Sequence, residues 1–329
     1  MEFYKIPGKV SIFHGGDAGS KCYQYALHEL ERLLQRIGIS TELHESKVKS
    51  NSFFLAIGRG CEGGGSCTDL MYDGFRLSVS DGGAVISSNS PKGVLNGVYF
   101  LAEQFGFLFL LPGESGEWAP GKVRDLPVGE KVMLPRFPFR GVFWESLSLN
   151  DYTDEEWLRF YAKLKFNALA HDKIDDVKLA EELGIRLEVG GHGLSKMLPR
   201  ELFAEKPEMF RMFQPEDFNG KRLGDSNFCI TNHEARKTVK DNFRKKLDSA
   251  KGAYGIHAWA DDLPAGGWCL CPCCRSFSPE DQSMMAMNLL AETARESRSA
   301  LRIANIAYHD TMFPGINISP AAECFLLFA

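Results

Sequence analysis

Gly255-Ile256-His257-Ala258-Trp259-Ala260-Asp261-Asp262 is a short, mostly apolar run that ends on two adjacent carboxylates. Gly266-Gly267-Trp268 follows, and then Cys269-Leu270-Cys271-Pro272-Cys273-Cys274. The run reads as a β-strand. Successive strand side chains point to opposite faces, so at most one of the two aspartates looks directly into the space that the strand lines. The other leans on the loop, bonds a neighbour or holds a ligand group. The same pair also suits a turn, because Leu263-Pro264-Ala265-Gly266 is rich in turn formers. The segments on either side bear on the choice.

Upstream, three more strands end on polar residues. Phe139 to Trp144 ends at Glu145, Phe166 to Ala170 at His171-Asp172, and Ile185 to Val189 at Gly190-Gly191-His192. Thr153 and Glu156 form a capping box for a helix that carries Trp157, Phe160, Tyr161 and Leu164. Lys178 to Leu183 is a shorter helix, stopped by Gly184. Downstream, Ser278 caps a helix with Pro279 in its first turn, and Met284, Met285, Met287 and Leu290 supply its packing face. Leu301 to Ala307 is a strand that ends at Tyr308, His309 and Asp310, and Cys324 to Ala329 is a sixth. Strands alternating with helices imply a parallel sheet. Polar residues after successive strands mark the C-terminal face of a (β/α) barrel, where such folds keep their chemistry. A closed barrel of this type needs eight strands. The expectation is therefore an α/β chain that is truncated after about strand six, with an open barrel edge available for self-association.

The first 130 residues have another pattern. Lys9 to Phe13 and Phe53 to Ile57 read as strands, and Asp17 to Gly38 as a helix with Tyr23, Leu27, Leu30 and Leu34 on one face. Phe75 to Val79 and Ala84 to Ser87 flank Asp81-Gly82-Gly83, a hairpin signal. A helix from Gly93 to about Phe105 completes an α+β sandwich. Gly58-Arg59-Gly60-Cys61-Glu62-Gly63 has the spacing of a dinucleotide fingerprint, but no helix opens on the glycines, and a surface loop is the better reading.

The bulk composition narrows the function. The 329 residues suit two domains, 1–130 and 135–329, with an insertion at about 193–250. A net charge of −5 without a basic tract argues against nucleic acid. Apolar runs such as Phe107 to Leu111 are too short for a membrane span, and Met1 to Pro7 has no signal-peptide core. Nine cysteines, four of them within 269–274, favour metal binding or reduced thiols over a disulfide framework, and with them a cytoplasmic location.

The order of elements in the first part, with Tyr72-Asp73-Gly74-Phe75-Arg76-Leu77-Ser78-Val79, Gly93 to Phe107 and Leu111-Pro112-Gly113-Glu114, resembles the accessory N-terminal domain of family 20 hexosaminidases and family 67 α-glucuronidases. That domain packs beside a barrel and does no chemistry. Residues from about 135 to 315 resemble the domain-of-unknown-function family 4838. The resemblance rests on Gly191-His192-Gly193, Lys206-Pro207-Glu208-Met209-Phe210, Cys229-Ile230-Thr231-Asn232, Asp262, the spaced Cys269, Cys271 and Cys274, Ser278 to Gln282, and Ala307-Tyr308-His309. It implies a carbohydrate-active barrel related to the α-glucuronidases. On that footing Asp262 is the expected general acid of a glycoside hydrolase. Asp261-Asp262 also resembles the adjacent aspartates of family 84 hexosaminidases, where the substrate's acetamido group is the nucleophile. Glu145, His171, His192, Tyr308 and His309 would bind sugar hydroxyls or a carboxylate, and Trp259 and Trp268 would stack on sugar faces. Catalysis would need no cofactor. Cys269, Cys271 and Cys274 would hold a structural zinc, with Cys229 or Cys273 as the fourth ligand, form a disulfide, or brace the loop as thiols. The alternative to a hydrolase is a sugar-binding barrel without turnover. A zinc hydrolase is disfavoured, because cysteine-rich sites are closed.

Overall fold

The computed structural model describes residues 2–14, 19–44, 52–57, 67, 69–144, 152–171, 177–213, 220–261, 267–313 and 315–328. For residues 14, 52–57, 144 and 171 it describes the backbone alone. Contacts divide the chain into two compact units. The first comprises Met1–Val142, Leu147–Leu169 and Asp176–Arg186; the second comprises Phe143–Ser146, Ala170–Asp175 and Leu187–Ala329.

A six-stranded mixed sheet organises the first unit. Its strands are β1 (Lys9–His14), β2 (Ser40–His44), β3 (Ser52–Ile57), β4 (Phe75–Ser80), β5 (Gly83–Ser88) and β6 (Gly129–Met133), in the order β6-β4-β5-β3-β1-β2. Strands β4 and β5 pair antiparallel across Asp81-Gly82, with Ser80 opposite Gly83, whose φ of +130° suits glycine. Helix α1 (Lys21–Arg36) starts later than Asp17 because Ser20 caps it, taking the Tyr23 N–H. It buries Tyr23, Leu27, Leu30 and Leu34. Helix α2 (Pro91–Phe105) runs from its Ser90 cap to Gly106, which is left-handed at φ +108°.

Glu117 is enclosed in this unit, with its side chain only 1% exposed, and it pairs with Arg32 at 2.8 Å, Lys163 at 2.8 Å and Arg36 at 3.2 Å. Burial pushes its carboxyl up, but bonds from Arg32 and Lys163 outweigh burial and hold it down at about 2.

The second sheet contains β7 (Gly141–Trp144), β8 (Ala168–His171), β9 (Arg186–His192), β10 (Gly255–Trp259), β11 (Arg302–Ala307) and β12 (Cys324–Phe328), and its spatial order is its chain order. From β9 to β12 each neighbouring pair is parallel. The six strands form a curled half-barrel. Helices α3 (Asp154–Lys163) and α4 (Val177–Glu182) connect the first three strands, and the Thr153–Glu156 capping box is formed. Helices α5 (His233–Ser249) and α6 (Pro279–Glu296) make the next two crossovers. The expected insertion thus contains a crossover helix in its last third. The described residues up to Asn232 are irregular, with three 3₁₀ turns and isolated bridges Phe210–Phe228 and Met212–Arg222 among them.

Val189, Ile256, Ala258 and Ile303 of the sheet pack with Val239, Phe243 and Leu247 of α5 and Met287, Leu290 and Ala294 of α6. Each such large side chain contributes roughly 1.5–3 kcal/mol on burial. Asp281, in the first turn of α6, is fully buried and accepts from the backbone N–H groups of Asn317 (2.9 Å) and Ile318 (3.1 Å) and from the Asn317 amide (2.7 Å). Burial raises its carboxyl, and these bonds outweigh burial and lower it. On β12, Leu326 and Phe328 are exposed. Among the described residues no helix is long and apolar enough to cross a membrane.

Candidate active site

The inner face of the half-barrel is set by strand alternation. Glu188, Gly190 and His192 of β9 stand opposite Gly255, His257 and Trp259 of β10. His257 is fully buried and its Nε2 lies 2.7 Å from Glu188 Oε2. His257 Nδ1 and Glu188 Oε1 have no hydrogen-bond partner among the described residues. Phe143 meets His257 edge-on at 5.2 Å and stacks on Trp259 at 4.5 Å. Gly190 has to be glycine here: its φ is +97°, and a Cβ would fall 2.2 Å from the His257 carbonyl oxygen.

His192 is the last residue of β9, not a residue beyond it, because Gly190 and Gly191 continue the strand. Its Nδ1–H donates to the Ala260 carbonyl at 2.7 Å, and its ring meets Trp259 edge-on at 5.3 Å. The N–H groups of Gly193 and Leu194 both donate to the Trp259 carbonyl. The chain leaving β9 is therefore fastened across the end of β10. Asp261 comes two residues after β10 and is half-buried. Burial lowers the Arg200 pKa, and the charge of Asp261 is the largest influence opposing it. Arg200 is itself fixed, donating to the carbonyls of Ser195 and Leu198 and lying over the Phe210 ring at 4.8 Å.

After β11, Tyr308 is 36% exposed and rests on His309, ring centroids 4.0 Å apart. Asp310 beside them is half-buried, and burial raises its carboxyl. Trp259 is buried under Phe143. Trp268 is 5% exposed and belongs to the outer core, so it packs rather than presenting a face. His171 ends β8, and its side chain lies outside the described residues, as do Glu145 and Asp262 and the glycine run 58–63. Sequence reasoning missed Glu188 and His257. The available signal was their place in otherwise apolar strands, two residues before Gly190 and two before Trp259.

The cysteines converge in the core that packs α5 and α6 against the sheet. The Sγ atoms of Cys229, Cys269, Cys271 and Cys274 all lie within 4.8 Å of one another, and all four residues are buried. The fourth member is Cys229, since Cys273 is exposed. Cys229 Sγ is 3.7 Å from both Cys271 Sγ and Cys274 Sγ, too far for a disulfide bond. Hydrogen bonds from Cys269 and Cys274 pull the Cys229 thiol well below the usual range, and the same bonding pushes Cys269 up to about 11.

Solved structures with a similar fold include β-hexosaminidases. The chain aligns with the β-N-acetylhexosaminidase of Bacteroides fragilis at a TM-score of 0.61 and 14% identity, covering 99% of this chain and 67% of that one. For the chitobiase of Flavobacterium johnsoniae the values are 0.64, 15%, 99% and 52%. For the family 20 β-N-acetylhexosaminidase of Streptomyces coelicolor they are 0.62, 13%, 99% and 66%. At these identities the likeness is one of fold, and the chain spans between half and two thirds of the length of these structures. No curated protein matches the sequence. The family described as Domain of unknown function (DUF4838) matches residues 123–329, more than half of the chain, and the protein belongs to that family.

Proposed function

We propose that this is a glycoside hydrolase-like protein acting on a glycosidic bond of a uronic acid- or hexosamine-containing oligo- or polysaccharide, with acid catalysis from the end of β10. The observation that carries the reading is Asp261, half-buried just beyond a parallel strand whose inner face is lined by His257 and Trp259. Related folds keep their chemistry at that end of the strands. The hexosaminidase likeness supports the substrate class, and a mutant β-hexosaminidase of Streptomyces plicatus has been solved with GlcNAc as product.

In this reading Asp262 protonates the leaving oxygen while positive charge develops on the sugar ring. Asp261 orients a nucleophile supplied by the substrate and is balanced by Arg200. His192 and Tyr308-His309 receive sugar hydroxyls, together with Glu145 and His171. Trp259, under Phe143, and Trp268 are both buried and would have to be uncovered to stack on the sugar ring. The chemistry draws on no cofactor. Thiols held close without bonding fit a reducing, cytoplasmic setting.

The test is a panel of natural and nitrophenyl hexosaminides and uronides, assayed on protein from the complete reading frame. Asp262→Asn should lower turnover of natural glycosides about 10²–10⁴-fold. Aryl glycosides, with better leaving groups, should lose less. Asp261→Asn should slow both kinds. Unchanged rates in Asp262→Asn would remove the assignment. Sugar binding by a wild type that turns over nothing would favour a non-catalytic barrel.

A further inference from the structure

We infer that Cys229, Cys269, Cys271 and Cys274 form a closed tetrahedral site for Zn²⁺, which fastens the irregular segment before α5 to the loop that follows the aspartates. The inference is independent of any glycosidase activity.

Four buried sulfurs within 4.8 Å of one another enclose a volume of the right size. A zinc–sulfur bond of about 2.3 Å in tetrahedral geometry places the sulfurs about 3.8 Å apart. Cys229 lies 3.7 Å from two of its partners. All-sulfur tetrahedral sets select zinc or iron among common metals, and four protein ligands leave no open position for catalysis.

The surroundings also suit a thiolate cluster. Zinc with four thiolates carries two net negative charges and needs donors around it. The Met212 N–H donates to Cys269 Sγ at 3.3 Å, and the Thr231 hydroxyl lies 3.1 Å from Cys274 Sγ and 3.5 Å from Cys229 Sγ. The Arg222 guanidinium is fixed nearby, donating to the Phe210 carbonyl at 2.6 Å and the Glu208 carbonyl at 3.0 Å, and against the lowering effect of burial Cys229, Cys269 and Cys271 raise its pKa. Gln282 of α6 holds the loop backbone, accepting from the Cys269 N–H and donating to the Cys269 carbonyl, both at 3.1 Å. The ligands are thus positioned from both segments. Cys229 belongs to the irregular segment, the other three to the loop, and the Leu270 N–H to Met212 carbonyl bond (2.8 Å) joins the same two strips of backbone.

The experiment is elemental analysis of the full chain, purified under reducing conditions without chelator, alongside Co²⁺ titration of metal-stripped protein. The expected result is about one zinc per chain and the visible bands of tetrahedral thiolate-bound cobalt. Cys229→Ser should abolish stoichiometric metal, whereas Cys273→Ser should retain it. Arg222→Gln should keep the site but weaken zinc roughly 10–100-fold. The inference is overturned if wild type holds no metal and gives no cobalt bands, or if Cys273→Ser loses metal as fully as Cys229→Ser. The wild-type titration and the Cys273→Ser control decide even if Cys229→Ser fails to fold.

Discussion

Glu117 in the first unit and Glu188 in the second are both buried carboxylates, yet among the described residues Glu117 meets three cations and Glu188 a single imidazole. Each Glu117 oxygen is engaged. Glu188 keeps one oxygen without a partner, and His257 keeps one ring nitrogen the same way, among the described residues. A carboxylate saturated by fixed cations holds elements together and has no capacity left for anything else. A half-used pair on the inner face of a curled parallel sheet retains acceptor and donor capacity. Unsatisfied buried polar atoms are costly, so the two carboxylates make different demands on the fold around them.

The largest expected effect tests the saturated side. Glu117→Gln leaves Arg36 and Lys163 without the carboxylate they share and Arg32 with Glu29 alone, at 2.7 Å. Removing one partner of a fully buried pair costs about 3–5 kcal/mol. Arg32 and Arg36 are about a third or more exposed, so solvent screens part of the loss, and about 2–3 kcal/mol is expected. Urea midpoints read it. Because the folded-state pKa is lowered to about 2, the stabilisation is complete above the ordinary glutamate value and is lost as pH falls through the folded one. The gap between wild type and variant should be constant above about pH 5 and shrink steadily below pH 4. A gap that widens in acid would contradict the assignment.

The smaller effect tests the half-used side. Glu188→Leu strands the His257 ring nitrogen and should cost about 1–3 kcal/mol. Adding His257→Phe removes the stranded polar group and should restore part of that loss, read as a non-additive double-mutant cycle in thermal melts. No single second substitution can do this for Glu117, which has three partners. Additive losses in the double variant would erase the contrast between the two carboxylates.

Much of the fold was legible because it rests on local chemistry. Thr153 with Glu156, Ser278 with Pro279, and Asp81-Gly82 each fix an element boundary within a few residues, and the observed caps and turn fall there. The half-barrel followed from strands that repeatedly end on polar residues. What escaped depends on distance along the chain. Cys229 lies 40 residues before Cys269, so no spacing rule separates it from Cys273, and only the fold makes it the fourth sulfur. The Glu188–His257 pair needs the register of β9 against β10. Gly190-Gly191 read as a stop, whereas here glycine lets two strands approach closely. Helix α5 was counted within the insertion because its buried residues, Ala235, Val239, Phe243 and Leu247, form a narrow stripe on a strongly polar helix.

Asp281 has a consequence for how the second unit comes apart. Its carboxylate is an integral part of the first turn of α6, yet its acceptor oxygens serve backbone N–H groups at Asn317 and Ile318, in the connection to β12. That connection cannot peel away alone without leaving a buried charge stripped of its donors. A long surface segment that would otherwise fray is therefore bound into one cooperative opening unit with the helix. Native-state hydrogen exchange should find the Asn317 and Ile318 amides as slow as those in the middle of α6. Exchange at the rate of an exposed loop would show that the latch is open in solution.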